Sequence, residues 1–120
     1  MDLVREARFE RPTMSQKFSF TETPHGAFSV LAILNFPGQP ARAFTRQEAT
    51  IVSRALKAVA HGTSAERQVY MSPIASDHDF EARVAETGVV VILDACADVQ
   101  LDWNDVDALS RRFASFGSGG

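Results

Sequence analysis

The residues able to do chemistry in this 120-residue chain fall at segment ends, outside any recognisable motif. Asp94 closes the apolar run Val89-Val-Val-Ile-Leu93, and Cys96 and Asp98 follow at two-residue steps. Ser76, Asp77 and His78 stand together beyond Pro73, and Asn35 ends an earlier apolar run. Open sheets of parallel strands bind ligands beyond the carboxyl ends of those strands. If these runs are such strands, one rim gathers Asn35, Ser76, Asp77 and Asp94 as ligand-binding candidates. The catalytic candidates on the same rim are Asp94, Cys96 and His78. Asp94 can serve as a catalytic carboxylate, or it can simply accept amide hydrogen bonds in the next turn.

Each further chemistry meets an obstacle. A thiol near a helix start becomes nucleophilic through the helix dipole. Asp94 and Asp98 flank Cys96 and oppose its thiolate. Asp77, His78, Asp94 and Asp98 offer oxygen-rich ligands of the kind hard cations take. The acidic run Asp98–Asp107, however, lacks the central glycine and closing glutamate of a calcium loop. Glu48, Asp79 and Asp105 occupy the first turns of the three predicted helices and would repel phosphate there. There is no Walker loop and no dinucleotide fingerprint. His25, His61 and His78 sit at element boundaries, and no nucleophile elbow accompanies them. Neither a metal site nor a cofactor is expected.

The elements that must position these residues follow from periodicity. Phe18 and Phe20 share one face of a half-buried strand, and Thr23-Pro-His-Gly26 is turn chemistry. Phe28–Phe36 is apolar on both faces and predicts a central strand paired with the first as a hairpin. Thr45-Arg-Gln-Glu48 is a capping box for a helix running to His61, stopped by Gly62. Its stripe is Ala49, Val52, Ala55, Leu56 and Val59. Gln68–Ser72 alternates as a strand that Pro73 ends. Ser76 is read as the cap of a short helix through Phe80 and Val84, stopped by Gly88. Val89–Leu93 is a second central strand. Asp102 caps a last helix with the stripe Trp103, Val106, Leu109, Phe113 and Phe116.

The expected order is β-β-α-β-α-β-α. It predicts one α/β or α+β domain over residues 16–117, built on a mixed four-stranded sheet with an N-terminal hairpin. A ferredoxin-like sandwich is the alternative. Residues 1–15 are read as an arm and 118–120 as a loose tail. Phe9, Phe36 and Phe44 have no evident place in a core stripe, although Phe44 can staple the first helix.

Composition narrows the function. Hydrophobic content of 45% and charged content of 22% are those of a globular domain. No stretch has the apolar length of a membrane span, and the first ten residues lack the apolar run of a secretory signal. The single cysteine suits a reducing compartment, here the cytoplasm. Ten arginines against two lysines, in an alanine-rich chain, suit a GC-rich bacterial genome. Residues 1–70 carry nine Lys/Arg and six Asp/Glu, hence +3; residues 71–120 carry three Arg and nine Asp/Glu, hence −6. An acidic chain is a poor neutraliser of phosphates, so nucleic acid is not an expected partner.

Arg46, Arg54 and Lys57 share the polar face of the first helix and are the candidate contacts for a protein partner. With no acid–base–nucleophile constellation, the reading is a small non-enzymatic interaction or regulatory protein acting as a homodimer. The first strand is read as an exposed sheet edge that invites a second copy. The alternative is a small enzyme or ligand-binding protein with its site around Asp94 and His78.

Overall fold

The computed structural model describes residues 17–119. The predicted arm 1–15, with Phe9, and the final residue of the tail lie outside the described residues. The elements are β1 (Ser19–His25), β2 (Ser29–Asn35), β3 (Arg42–Phe44), α1 (Arg46–Ala60), β4 (Gln68–Met71), β5 (Phe80–Val84), β6 (Gly88–Ile92), β7 (Val99–Asp102) and α2 (Trp103–Gly117). The fold is α+β: a three-stranded sheet β1-β2-β3, a four-stranded sheet β4-β5-β6-β7, and two helices.

The expected N-terminal hairpin is present. β1 and β2 pair antiparallel from Ser19↔Asn35 to His25↔Ser29. His25 holds the turn, its Nδ1 accepting from the amides of Ala27 (3.1 Å) and Phe28 (3.3 Å). The capping box of α1 also forms as the sequence predicts. Thr45 Oγ1 accepts from the Glu48 amide at 3.2 Å, and Glu48 Oε1 accepts from the Thr45 amide at 2.9 Å. Gly62, at φ +70°, turns the chain where α1 stops. A second box opens α2, between Asp102 and Asp105.

Three segments depart from the periodicity reading. Ser76–Val84 is not a helix. Phe80 and Ala82 are buried while Glu81 and Arg83 lie more open, a period of two that makes β5 a strand. Ser76 instead turns the loop before it, its hydroxyl donating to the His78 carbonyl at 3.3 Å. Short strands β3 and β7 form where loops were expected, each joined to a helix with little or no linker. The β4–β7 pairings are all antiparallel, because short loops, and not helical crossovers, connect those strands. Gly88 stops no helix; it opens β6 beneath the backbone of β7. A Cβ there would lie 1.8 Å from the Leu101 carbonyl oxygen.

One core joins both sheets and both helices. Its centre is a set of edge-on phenylalanines. Phe44 meets Phe113 at 4.9 Å between ring centroids, and Phe20 meets the same ring at 5.2 Å. Phe36 and Phe44, which had no predicted core role, are 3% and 0% exposed. The strand β3 carries Phe44 inward, and the loop after β2 folds Phe36 over Phe80. Leu56, Val52, Leu109 and Val106 bring the stripes of α1 and α2 onto this cluster. No helix among the described residues is long and apolar enough to cross a membrane.

Candidate functional site

The strand directions put two loops at one end of the four-stranded sheet. The β4–β5 loop (72–79) and the β6–β7 loop (93–98) both leave that end. Between them lies an open groove of about 520 Å³, floored by Ile92 and Leu93 and rimmed by Asp79, Glu81, Arg83, Asp94 and Asp98. Glu81 and Arg83 are two apart on β5 and so share its outer face. They form an ion pair at 3.0 Å. Four carboxylates against one guanidinium leave the groove formally at −3.

The β6–β7 loop turns tightly, with the Cys96 amide donating to the Leu93 carbonyl at 3.1 Å. Ala95 takes φ +65° to make that turn, a conformation that costs a non-glycine residue about 1 kcal/mol. This geometry presents Asp94 to solvent at the groove mouth. Asp79 is held from the other side: it accepts a hydrogen bond from the Tyr70 hydroxyl. That bond, with one from Ser72, keeps the Asp79 carboxyl below the usual aspartate range and pushes the Tyr70 phenol up.

Behind the groove is a buried polar junction that the sequence reading missed. Arg42 on β3 is fully buried. Its Nε donates to the Asp79 carbonyl at 2.6 Å and its Nη2 to Gln39 Oε1 at 2.9 Å. Gln39 Nε2 in turn donates to the carbonyls of Val91 (3.2 Å) and Ala97 (2.8 Å). The guanidinium lies against the rings of Phe36 and Phe80, at 5.8 and 6.0 Å. Burial pulls its pKa down, opposed by the neighbouring Cys96 and Asp79. These two side chains tie the hairpin sheet to the loops that frame the groove. No local pattern marks them, since Arg42 and Gln39 read as ordinary loop residues.

The structure brings together only part of the predicted rim. Asp94 and Asp98 line the groove; Ser76, Asp77, His78 and Cys96 do not. His78 is exposed in the β4–β5 loop, and Cys96 is half-buried behind its turn. Asn35 lies apart, in a separate cleft with Lys17, Phe18 and Phe36. The alternation Phe80-Glu-Ala-Arg was the signal that would have placed Glu81 and Arg83 here. Among the described residues, no three His, Cys, Asp or Glu side chains converge as metal ligands do.

The basic face of α1 also divides. Arg46 is engaged: it donates to the Phe116 carbonyl and lies 4.6 Å from the centroid of the Phe116 ring. It thereby supplies a cation at the C-terminus of α2, whose own last turn has none. Arg54 and Lys57 are exposed around a shallow depression with His61 and Thr63. No family model matches the chain, and no curated protein or solved structure shows significant similarity to it.

Proposed function

We propose that this chain is a non-enzymatic interaction or regulatory protein that acts as a homodimer in a bacterial cytoplasm. One observation carries the reading. Ile51 on α1 and Ile74 in the β4–β5 loop are 50% and 73% exposed. A hydrogen bond from the Ile74 amide to Glu48 Oε2, at 2.9 Å, anchors the loop one helical turn from Ile51. Glu48 is itself fixed by the capping box, so two large aliphatic side chains are held out into water on an ordered scaffold. Large aliphatic side chains fixed in water in this way are surface that association would cover.

The edge of β1 is a weaker route to a second copy. β1 does lie at a sheet edge. Phe18 and Phe20 turn inward, Arg112 donates to the Phe20 carbonyl at 2.6 Å, and Pro24 has no amide to offer. Sedimentation equilibrium at micromolar concentration tests the dimer. The expected mass is twice 13.1 kDa; a single-chain mass at every loading overturns the reading.

A second reading rests on the groove. Its size suits a small ligand, and its charge selects a cation. Asp94→Asn keeps shape and most hydrogen-bonding capacity while removing charge. If the groove serves a cationic ligand, spermidine binding measured by calorimetry weakens in that variant with an unchanged melting temperature. No detectable binding by the unaltered chain removes this reading.

A further inference from the structure

We infer that residues 1–16 of this chain lie across the open outer face of the four-stranded sheet and seat Arg5 and Arg11 in its acidic groove. The inference rests on the reading of the groove as a cation site and names the cation. The inner face of this sheet is spent on the core, where Val69, Phe80, Ala82, Val91 and Leu101 are buried. The outer face is open. Tyr70 is 51% exposed, Gln68, Arg83 and Gln100 are exposed, and Val90 and Ile92 are only half-buried. The strand register aligns Tyr70, Glu81 and Ile92 in one row across this face, and Asp98, next to the first residue of β7, stands at its end. A row over four strands is about 14 Å wide. Aliphatic side chains set between carboxylates fit an occupant that is both apolar and cationic.

The segment before the described residues has that chemistry and departs from the right edge. Lys17 Nζ donates to the Gln100 carbonyl at 3.1 Å, so the chain enters the fold beside β7, close to Asp98. In a two-residue repeat, Leu3, Arg5, Ala7, Phe9 and Arg11 share one side, while Asp2, Glu6 and Glu10 all fall on the other. One side is therefore apolar and cationic and carries no carboxylate. Extended chain from Lys17 to Arg11 reaches about 20 Å, and from Arg11 to Arg5 about 20 Å more, which exceeds the width of the row. Crossing it, Arg11 meets Asp94 and Asp98, Phe9 covers Ile92, and Arg5 reaches Asp79 beside Tyr70. Glu81 is already paired with Arg83, so the charge to be matched is that of Asp79, Asp94 and Asp98. The occupant is the chain's own segment, because its attachment at Lys17 keeps it at high effective concentration over this face.

Trypsin cleavage after Arg5 in the full chain tests the seating. One variant carries Asp94→Asn and Asp98→Asn, both at exposed positions remote from the cut. Its release of residues 1–5, followed by intact mass, is expected to run about tenfold faster than in the unaltered chain, because cleavage follows the unseated fraction. The melting temperature stays the same. Arg11→Glu produces the same acceleration, and adding Asp94→Arg and Asp98→Arg to it restores slow cleavage. Spermidine competes with the segment, so Arg11→Glu binds it more tightly than the unaltered chain does. Equal cleavage rates in the unaltered chain and both single-sided variants overturn the inference. Protection that grows with protein concentration also overturns it, since the segment then lies on a second copy. Spermidine binding alongside equal cleavage rates overturns the seating and leaves the cationic groove standing.

Discussion

Ser53 on α1 and Ser110 on α2 each donate their hydroxyl to the other's backbone carbonyl, both at 3.0 Å. Both are 6% exposed, so the pair bridges the two helices out of contact with water. Small side chains let the helices approach, and the hydroxyls satisfy carbonyl lone pairs across the gap. Ser53→Ala and Ser110→Ala should each cost about 1 kcal/mol in urea unfolding. The two hydroxyls also lie 3.4 Å from each other, so the double variant should cost less than the sum of the single ones. A loss below 0.3 kcal/mol for both would show that water replaces these bonds freely.

Gly88 should tolerate no side chain. A Cβ at this position meets the Leu101 carbonyl oxygen and, at 2.7 Å, the Asp102 Cα. These are backbone atoms of a paired strand, so relief requires moving β7 and with it the start of α2. Gly88→Ala should lower stability by about 3 kcal/mol. Gly26→Ala is the control, since no heavy atom lies within 4 Å of a Cβ there. Equal melting temperatures for the two variants would contradict the close approach.

The capping box of α2 contains opposed titrations. The Asp105 amide, through its hydrogen bond, holds the Asp102 carboxyl below its ordinary range, while burial pushes the Asp105 carboxyl up. Asp102 therefore contributes stability above about pH 3.9, the unfolded aspartate value, and loses it as pH falls through its lower folded value. Asp105 has the opposite sign. Its contribution is fully present below about pH 3.9 and is lost as pH rises through its higher folded value. Asp105→Asn keeps an acceptor for the Asp102 amide and removes the buried charge. Its melting temperature should gain on the unaltered protein as pH is raised from 4 to 7. A constant difference across that range would show that Asp105 is not titrating differently from the unfolded chain.

Tyr70 is the single tyrosine, so its ionisation can be read without interference. The hydrogen bond to Asp79 pushes the phenol above its usual value of about 10, even though the side chain is half exposed. Spectrophotometric titration should show late ionisation, and Asp79→Asn should bring it earlier. An ordinary midpoint in the unaltered protein would mean that the bond does not persist in solution.

Much of the fold was legible because its signals are local. A capping box needs only Thr45 and Glu48 three residues apart, and the helix stripes need only a repeat of 3.6. The hairpin needs two alternating runs and a turn between them. β5 escaped because Ser76 and Gly88 resemble helix boundaries, while five residues hold too few turns for periodicity to decide. The candidate site was half legible. Asp94 and Asp98 follow a visible apolar run, but their neighbours Glu81 and Arg83 come from the strand read as a helix.

The chain by itself determined where each helix starts and stops, which faces are apolar, and that its two halves carry opposite charge. Those properties depend on residues within a few positions of one another. Tertiary structure decided what meets what. It divided the strands into two sheets, buried Phe36, Phe44 and Arg42, and tied Arg46 to the end of α2. It also anchored the Ile74 amide to Glu48 of α1. These outcomes depend on pairings between distant segments, where the loop-closure cost is met only by the whole core forming together. No local pattern encodes that balance.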